Sequence, residues 1–503
     1  MRVFAIPTQP QEVLLYWVYM KQPLSKRSQP WVRIAVYSVM TTTVIIIVSL
    51  LMLVVLGYSF NQRDGRLEQG SLLQFGSTPN GATVMLDELV LGARTNTKAT
   101  VDAGSHSVDF NLTGYRTWKK TITVEPGQIG WVNYARLVPV TIEPEVVRTF
   151  EAVTSSMASP RDNWILIHEV ADQPKFDLAN IQGDQVRYTA ITLPEGVFTV
   201  PDEGKSQSFT IESWSQNEDA VLLRHTYNDD QNEWIYLDRD SPERSININT
   251  AFGINASTLV FAGDSDRLLF ALADGSVRRI NLDDQTLSRP LVSNVAQFSD
   301  YDEKMIIYTT TDVDGARFVG YATTDIAQPV VLNQYPTDDK PLFADMETYF
   351  NRRYVSILHG TQVTVVGGEL PTLVNDGKLK TYASYTIPGG ATELQMSRNG
   401  RFVVARHADG FSTYDLELKK YDNATWAYKS DAQRPLQWLD DYILWSDNGG
   451  NARIYDFDGA NQQNIMPVIE GSALTLNNNG KYMYGFTQND KGVSLSRAKM
   501  IIN

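Results

Sequence analysis

The sequence predicts a mainly β protein behind one membrane-spanning helix, and three observations predict it. Ile34–Leu56 runs for 23 residues without a charge, Pro or Gly. From Leu72 to Pro139 short alternating strands stand between Gly and Pro turns. From Val140 to Asn503 a unit of polar turn, apolar strand, polar turn and second strand recurs. Its second apolar residues are Ile165, Leu222, Leu269, Ile306, Val355, Val403, Ile443 and Met483, at intervals of 57, 47, 37, 49, 48, 40 and 40. Such periods, with four short strands each, belong to a β-propeller, here of seven or eight blades. The expected order is therefore a cytoplasmic tail (1–33), a transmembrane helix (34–57), a polar tether (58–71), a small β-sandwich (72–139) and the propeller (140–503).

The helix follows from the bilayer. At 1.5 Å per residue the apolar run spans roughly 35 Å, against a hydrocarbon core of about 30 Å. Backbone groups in lipid must be satisfied within the segment, which selects helix over strand even through the β-branched run Val44–Val48. A buried core helix would carry polar positions. Arg2, Lys21, Lys26, Arg27 and Arg33 precede the span against the single acid Glu12, and no basic excess follows it. The positive-inside rule then places the N-terminus in the cytoplasm and the remainder outside. A cleaved signal peptide fits less well, because the run is too long, begins late and lacks a small-x-small site at Gly57–Phe60. The island Val13–Met20 is too short to span; it suits either the head-group layer or a sticky patch on a tail.

Net charge is −14, split into +4 over Met1–Arg33 and −18 beyond it, where 39 basic residues face 57 acidic ones. An acidic exterior repels phosphate backbones, so no nucleic-acid partner is expected. The chain has no cysteine, which removes disulfides and thiol chemistry. A large extracytoplasmic chain of that kind fits a bacterial envelope.

In the expected sandwich, Ala82, Val84 and Leu86 alternate, as do Val108, Phe110 and Leu112, while Trp118, Ile122 and Val124 share one parity. Gly81 suits the positive φ of the Thr78–Gly81 turn, and Tyr115 and Trp118 supply core bulk. The run Phe75–Asp87, with its tetrad Pro79-Asn80-Gly81-Ala82, resembles the opening of a PEGA domain, with Asn where the family has Glu. Gly104-Ser105-His106, Gly114-Tyr115 with Trp118, and Val124 before Pro126-Gly127 continue the likeness. The resemblance implies a small extracytoplasmic β-sandwich attached to the cell envelope and without catalytic residues.

The clearest copies of the longer repeat are Ser397–Glu417, Asp440–Gly459 and Asn477–Ser496. Ser397-Arg398-Asn399-Gly400 and Tyr414-Asp415-Leu416 resemble the repeat of TolB-like propellers, at the level of the repeat alone. Propellers close by pairing early and late strands, so Val146–Val153 is expected to complete the blade built by Lys481–Ile502.

Candidates for chemistry are sparse. His106, His168, His225, His359 and His407 show no ligand spacing, and no nucleophile elbow, Walker loop, dinucleotide fingerprint or zinc helix is present. No catalytic, cofactor or metal residue is therefore assigned. Asp312-Val313-Asp314-Gly315 and Asp456-Phe457-Asp458-Gly459 have oxygen spacing for calcium, but read first as hairpin turns. Trp426, Tyr428, Trp438 and Trp445 offer stacking faces for sugars, or packing between blades. The expectation is a non-catalytic, single-pass envelope protein, in contact with the lipid bilayer through 34–56, whose propeller engages a protein or a wall polysaccharide. The alternatives are a carbohydrate hydrolase or lyase working in the propeller channel, and a sensor relaying an external signal.

Overall fold

The computed structural model describes residues 29–55, 57–61, 66–372, 377–426 and 436–502. The island Val13–Met20 lies outside them. The chain divides into two compact units, Met1–Gln74 with Lys98–His106 and Thr123–Trp131, and Phe75–Thr97 with Ser107–Ile122 and Val132–Asn503.

In the first unit the N-terminal helix covers Gln29–Val55, and none of its most apolar window is buried. It begins ahead of Ile34 because Pro30 falls in the first turn, where a missing N–H costs nothing. The Thr43 hydroxyl donates to the Val39 carbonyl at 2.8 Å, so it needs no partner outside the helix. Gly57, at φ +79°, ends the helix by donating its N–H to the Val54 carbonyl. The expected tether is in fact a hairpin. Tyr58–Asn61 pairs antiparallel with Arg66–Gln69, Tyr58 opposite Gln69 and Asn61 opposite Arg66. Polar composition suggested a tether, but an aromatic-polar alternation at 58–61 is strand chemistry, and pairing satisfies its backbone.

Between 71 and 136 seven strands form two sheets. One runs Leu89–Arg94, Thr83–Leu86, Gly104–Asn111, Trp118–Val124; the other runs Thr97–Val101, Ser71–Thr78, Ile129–Arg136. Ala82, Val84, Val108 and Phe110 are fully buried, as their alternation requires. Phe110 stacks on Trp118 with ring centroids 5.1 Å apart. Gly81 takes φ +87°.

Among the described residues, 145–499 form eight four-stranded antiparallel sheets. Blades 1 to 7 are 155–192, 207–247, 256–287, 295–336, 342–386, 393–425 and 437–467, each built from consecutive strands A to D. Blade 8 takes A, B and C from Leu474–Leu476, Tyr482–Asn489 and Gly492–Lys499, and D from Glu145–Phe150. Phe150 faces Val493 and Glu145 faces Arg497, which is the expected closure. The eight repeat residues Ile165 to Met483 each sit on a B strand and are at most 1% exposed.

Apolar clusters join each blade to the next. The one shared by blades 8 and 1 contains Phe150, Ile165, Ile167, Tyr484 and Phe486, so the sheets close into a ring. The A strands of blades 8 and 1, 1 and 2, 4 and 5, and 5 and 6 meet one another, which places these strands innermost. The repeat has a local cause in the turn between A and B. Ser397 Oγ accepts the Phe402 N–H at 3.0 Å and donates to Asn399 Oδ1, while Gly400 takes φ +71°. Ser215 and Asn477 do the same for Ala220 and Tyr482. The side chain caps the first amide of the B strand, and the fourth turn position is left-handed, taken by Gly400, by Gly480 at φ +70° and by Glu218 at φ +68°.

Candidate functional site

The Asp456–Gly459 turn between strands C and D of blade 7 holds a cation, and the cation is a lysine. Trp118, Lys120 and Ile122 lie on one face of a sandwich strand, so the ammonium of Lys120 is carried inward beside the Trp118 ring. Its Nζ lies 2.8 Å from Asp458 Oδ1 and 3.4 Å from Asp456 Oδ2, with the lysine side chain 6% exposed. Three rings surround it, with centroids 4.4 Å (Phe457), 5.0 Å (Tyr134) and 5.8 Å (Trp118) away. Asp456 also accepts from Trp118 Nε1 at 3.1 Å and from Asn461 Nδ2 at 2.8 Å. Asn461 completes the contact with the Lys119 backbone, accepting its N–H at 3.1 Å and donating to its carbonyl at 3.0 Å.

This clasp is the centre of a wider seam. Tyr134 stacks on Tyr442 of blade 7 with centroids 4.9 Å apart. Arg136 pairs with Asp440 at 2.9 Å, and Arg116 donates to Gln463 Oε1 at 2.8 Å. The Tyr115 hydroxyl accepts the Ile502 N–H at 2.7 Å. Burial by itself would pull the Lys120 pKa down, but the Tyr134 oxygen and the Asp456 and Asp458 carboxylates outweigh it, and the ammonium is held above the usual lysine range. Burial raises the Asp456 carboxyl, and Lys120 only partly offsets it.

The inner strands of blades 4 and 5 carry carboxylates. Asp345 and Glu347 lie on strand A of blade 5. Burial, together with its carboxylate neighbours Asp345 and Asp300, pushes Glu347 up to about 7; burial pushes Asp345 up to about 6. Asp345 and Asp300 also bind neighbouring blades. Asp345 Oδ2 accepts the Met396 N–H of blade 6 at 2.7 Å, and Asp300 of blade 4 accepts the Gly263 N–H at 3.1 Å. Among the described residues no group of three or more His, Cys, Asp or Glu is placed to hold a metal ion.

Residues 71–139 match the PEGA domain. In sequence, no curated protein matches the chain. Similar solved structures include the Cps50 (Swd1) β-propeller domain of Myceliophteria thermophila, at 8% identity and TM-score 0.38, over 72% of this chain and 100% of that one. Kluyveromyces lactis Hsv2p is 9% identical with TM-score 0.37, over 70% and 100%. Oligogalacturonate lyase from Vibrio parahaemolyticus is 10% identical with TM-score 0.36, over 61% and 97%.

The remaining sequence candidates fall away from the PEGA seam or into the core. Asp312 Oδ1 accepts the Gly315 N–H at 2.8 Å in a tight hairpin whose Asp314 and Gly315 have positive φ. Trp445 is buried between blades 7 and 8, and Trp426 and Trp438 pack on the cluster between blades 6 and 7; Tyr428 lies outside the described residues. His359 contacts Asp338 at 3.1 Å and His407 contacts Asn423 at 3.2 Å, in separate blades. His106 contacts the Asp102 carbonyl at 2.8 Å. His168 and His225 are drawn together through Phe209, on which His225 stacks at 4.3 Å and which His168 meets edge-on at 6.2 Å. His225 Nδ1 is 2.8 Å from Glu233, which also accepts from Thr199 and Asn247. Sequence reasoning missed Lys120, although its parity with Trp118 and Ile122 was the available signal.

Proposed function

We propose that this chain is an uncleaved, single-pass membrane scaffold that displays its propeller outside the cytoplasm for binding rather than catalysis. The observation that carries the reading is the Lys120 clasp. A desolvated lysine between two buried aspartates adds little net stability against an apolar seam, but it accepts one registration only. The seam therefore holds the PEGA strands on blade 7 in a single arrangement, as a display device needs. The exposed apolar helix, the basic N-terminal flank and the extracytoplasmic setting that PEGA domains imply support the membrane placement.

The chain has no cysteine, so single-cysteine reporters test it cleanly. Glu203→Cys, on an exposed propeller loop, is expected to react with a membrane-impermeant maleimide in intact cells. Ser25→Cys is expected to react only after lysis, on a chain of full-length mass. The reverse pattern, or a shortened chain, overturns the reading.

One observation favours a second reading, a carbohydrate hydrolase or lyase: Glu347, pushed up to about 7 on the inner ring, is in a general acid's range. Product release from acidic and neutral polysaccharides that disappears in Glu347→Gln would establish it.

A further inference from the structure

Blade 5 carries Gly367-Gly368 near the end of its C strand, where neighbouring strands bring rings and cations. Gly367 faces Tyr354 on one side and Lys380 on the other; Gly368 faces Arg353 and Leu379. A Cβ at Gly367 would meet the Tyr354 ring at 2.6 Å and Tyr382 at 3.2 Å. The missing side chains leave the floor of an open trough of about 1020 Å³, with Tyr301 and Tyr321 of blade 4 on its far wall.

Arg352, Arg353, Lys378 and Lys380 line the trough and are exposed. Among the described residues none of the four pairs with an acid, whereas nearby Lys304, Arg317 and Lys340 all do. The arginines rest on tyrosines instead. Arg353 donates to the Tyr301 hydroxyl at 3.2 Å with its guanidinium 5.4 Å from that ring, and Arg352 donates to the Tyr382 hydroxyl. Two acids share the lining, Glu369 and Asp325, and Lys304 lies 3.2 Å from Asp325. Four cations with no acid partner among the described residues stand out in one trough where the chain beyond residue 33 carries 39 basic and 57 acidic residues.

The adjoining hairpin tip adds an independent sign. Phe350 and Asn351 have φ +46° and +57°, and Phe350 is 82% exposed. Such a turn favours Asn-Gly, and an aromatic residue there is both strained and wet.

We propose that this trough binds an anionic glycan, its uronate or phosphate groups on the four cations and its sugar faces on Tyr301, Tyr382 and Phe350. Guanidinium forks suit carboxylate and phosphate, aromatic faces suit the C–H face of a pyranose, and an open trough suits an extended polymer. The inference rests on the scaffold reading only for where the ligand would be met. Binding by purified protein is measured whatever the orientation, so the two fail separately.

The experiment uses the full chain in nanodiscs of zwitterionic lipid, titrated calorimetrically with polygalacturonate, a poly(glycerol phosphate) polymer, dextran and polyglutamate. One or both anionic polymers bearing sugar or polyol are expected to bind, more weakly as salt rises, and dextran is not. Arg353→Glu with Lys380→Glu should weaken binding at least 10-fold. Phe350→Ala, which should fold at least as well, should weaken it about threefold, and Lys491→Glu on blade 8 should leave it unchanged. No binding by either anionic polymer, equal binding of dextran, tighter binding of polyglutamate, or full binding by a folded charge-reversed variant overturns the proposal.

Discussion

Replacing Lys120 with Met removes the cation from the clasp and leaves two carboxylates facing a methyl group. Asp456 and Asp458 are 3% and 12% exposed, so neither can recover its hydration in place. Breaking a buried pair from one side costs about 3–5 kcal/mol. Asp456 keeps the Trp118 and Asn461 donors, which argues for the low end, about 3 kcal/mol. Losing the contacts with Phe457 and Tyr134 adds about 1 kcal/mol. Lys120→Met should thus destabilise by about 3–4 kcal/mol in calorimetric or denaturant unfolding. Adding Asp456→Asn and Asp458→Asn should recover most of it, because the buried charges leave together. A double-mutant cycle of Lys120 with Asp456 should show a coupling of about 1.5 kcal/mol or more; a value under about 0.5 kcal/mol would refute the argument. The clasp also titrates. Its lysine is raised above the ordinary 10.5, so its stabilisation is complete below pH 10.5 and is lost as pH rises through the higher folded value. The triple variant should lack that alkaline loss.

Other consequences follow from the ring. Phe150→Ala in the closing strand, 3% exposed, should cost about 3–5 kcal/mol by chemical denaturation. Gly400→Ala forces a methyl group against the Thr348 carbonyl at φ +71°, whereas Gly315→Ala at φ +83° meets open space; the first should destabilise clearly more than the second, and equal melting temperatures would contradict the turn assignment. Two glutamates, Glu347 half-buried and Glu233 buried, should give opposite pH slopes. Glu347 is raised from 4.5 to about 7, so its ionised form costs stability above pH 7 and that cost is relieved as pH falls toward 4.5. Glu233 goes the other way: burial favours its neutral form, but hydrogen bonds from His225, Thr199 and Asn247 bring it to about 2, so its contribution is present above pH 4.5 and is lost as pH falls through 2. Stability-pH curves of Glu347→Gln and Glu233→Gln should each lose the corresponding slope.

Whatever depends on local pattern was legible in the order of residues alone. An uncharged apolar run has one way to satisfy its backbone in lipid, so the helix was legible from Ile34–Leu56. Alternation placed Ala82, Val84 and Phe110 inward, and the recurring unit of turn and apolar strand marked all eight B strands, Ile165 to Met483. Periodicity alone left the count between seven and eight, and pairing decided it, because Ile165 belongs to a blade with its own A strand at Ser155–Ala158. Tertiary structure also decided what the Asp456–Gly459 turn holds. Its oxygens are equally apt for calcium or an ammonium group, and only the fold brings Lys120 to it across 336 positions of chain. The trough beside Gly367 was hidden for the same reason. Its cations come from two strands flanking a third, and no linear spacing encodes which charges a folded sheet brings together.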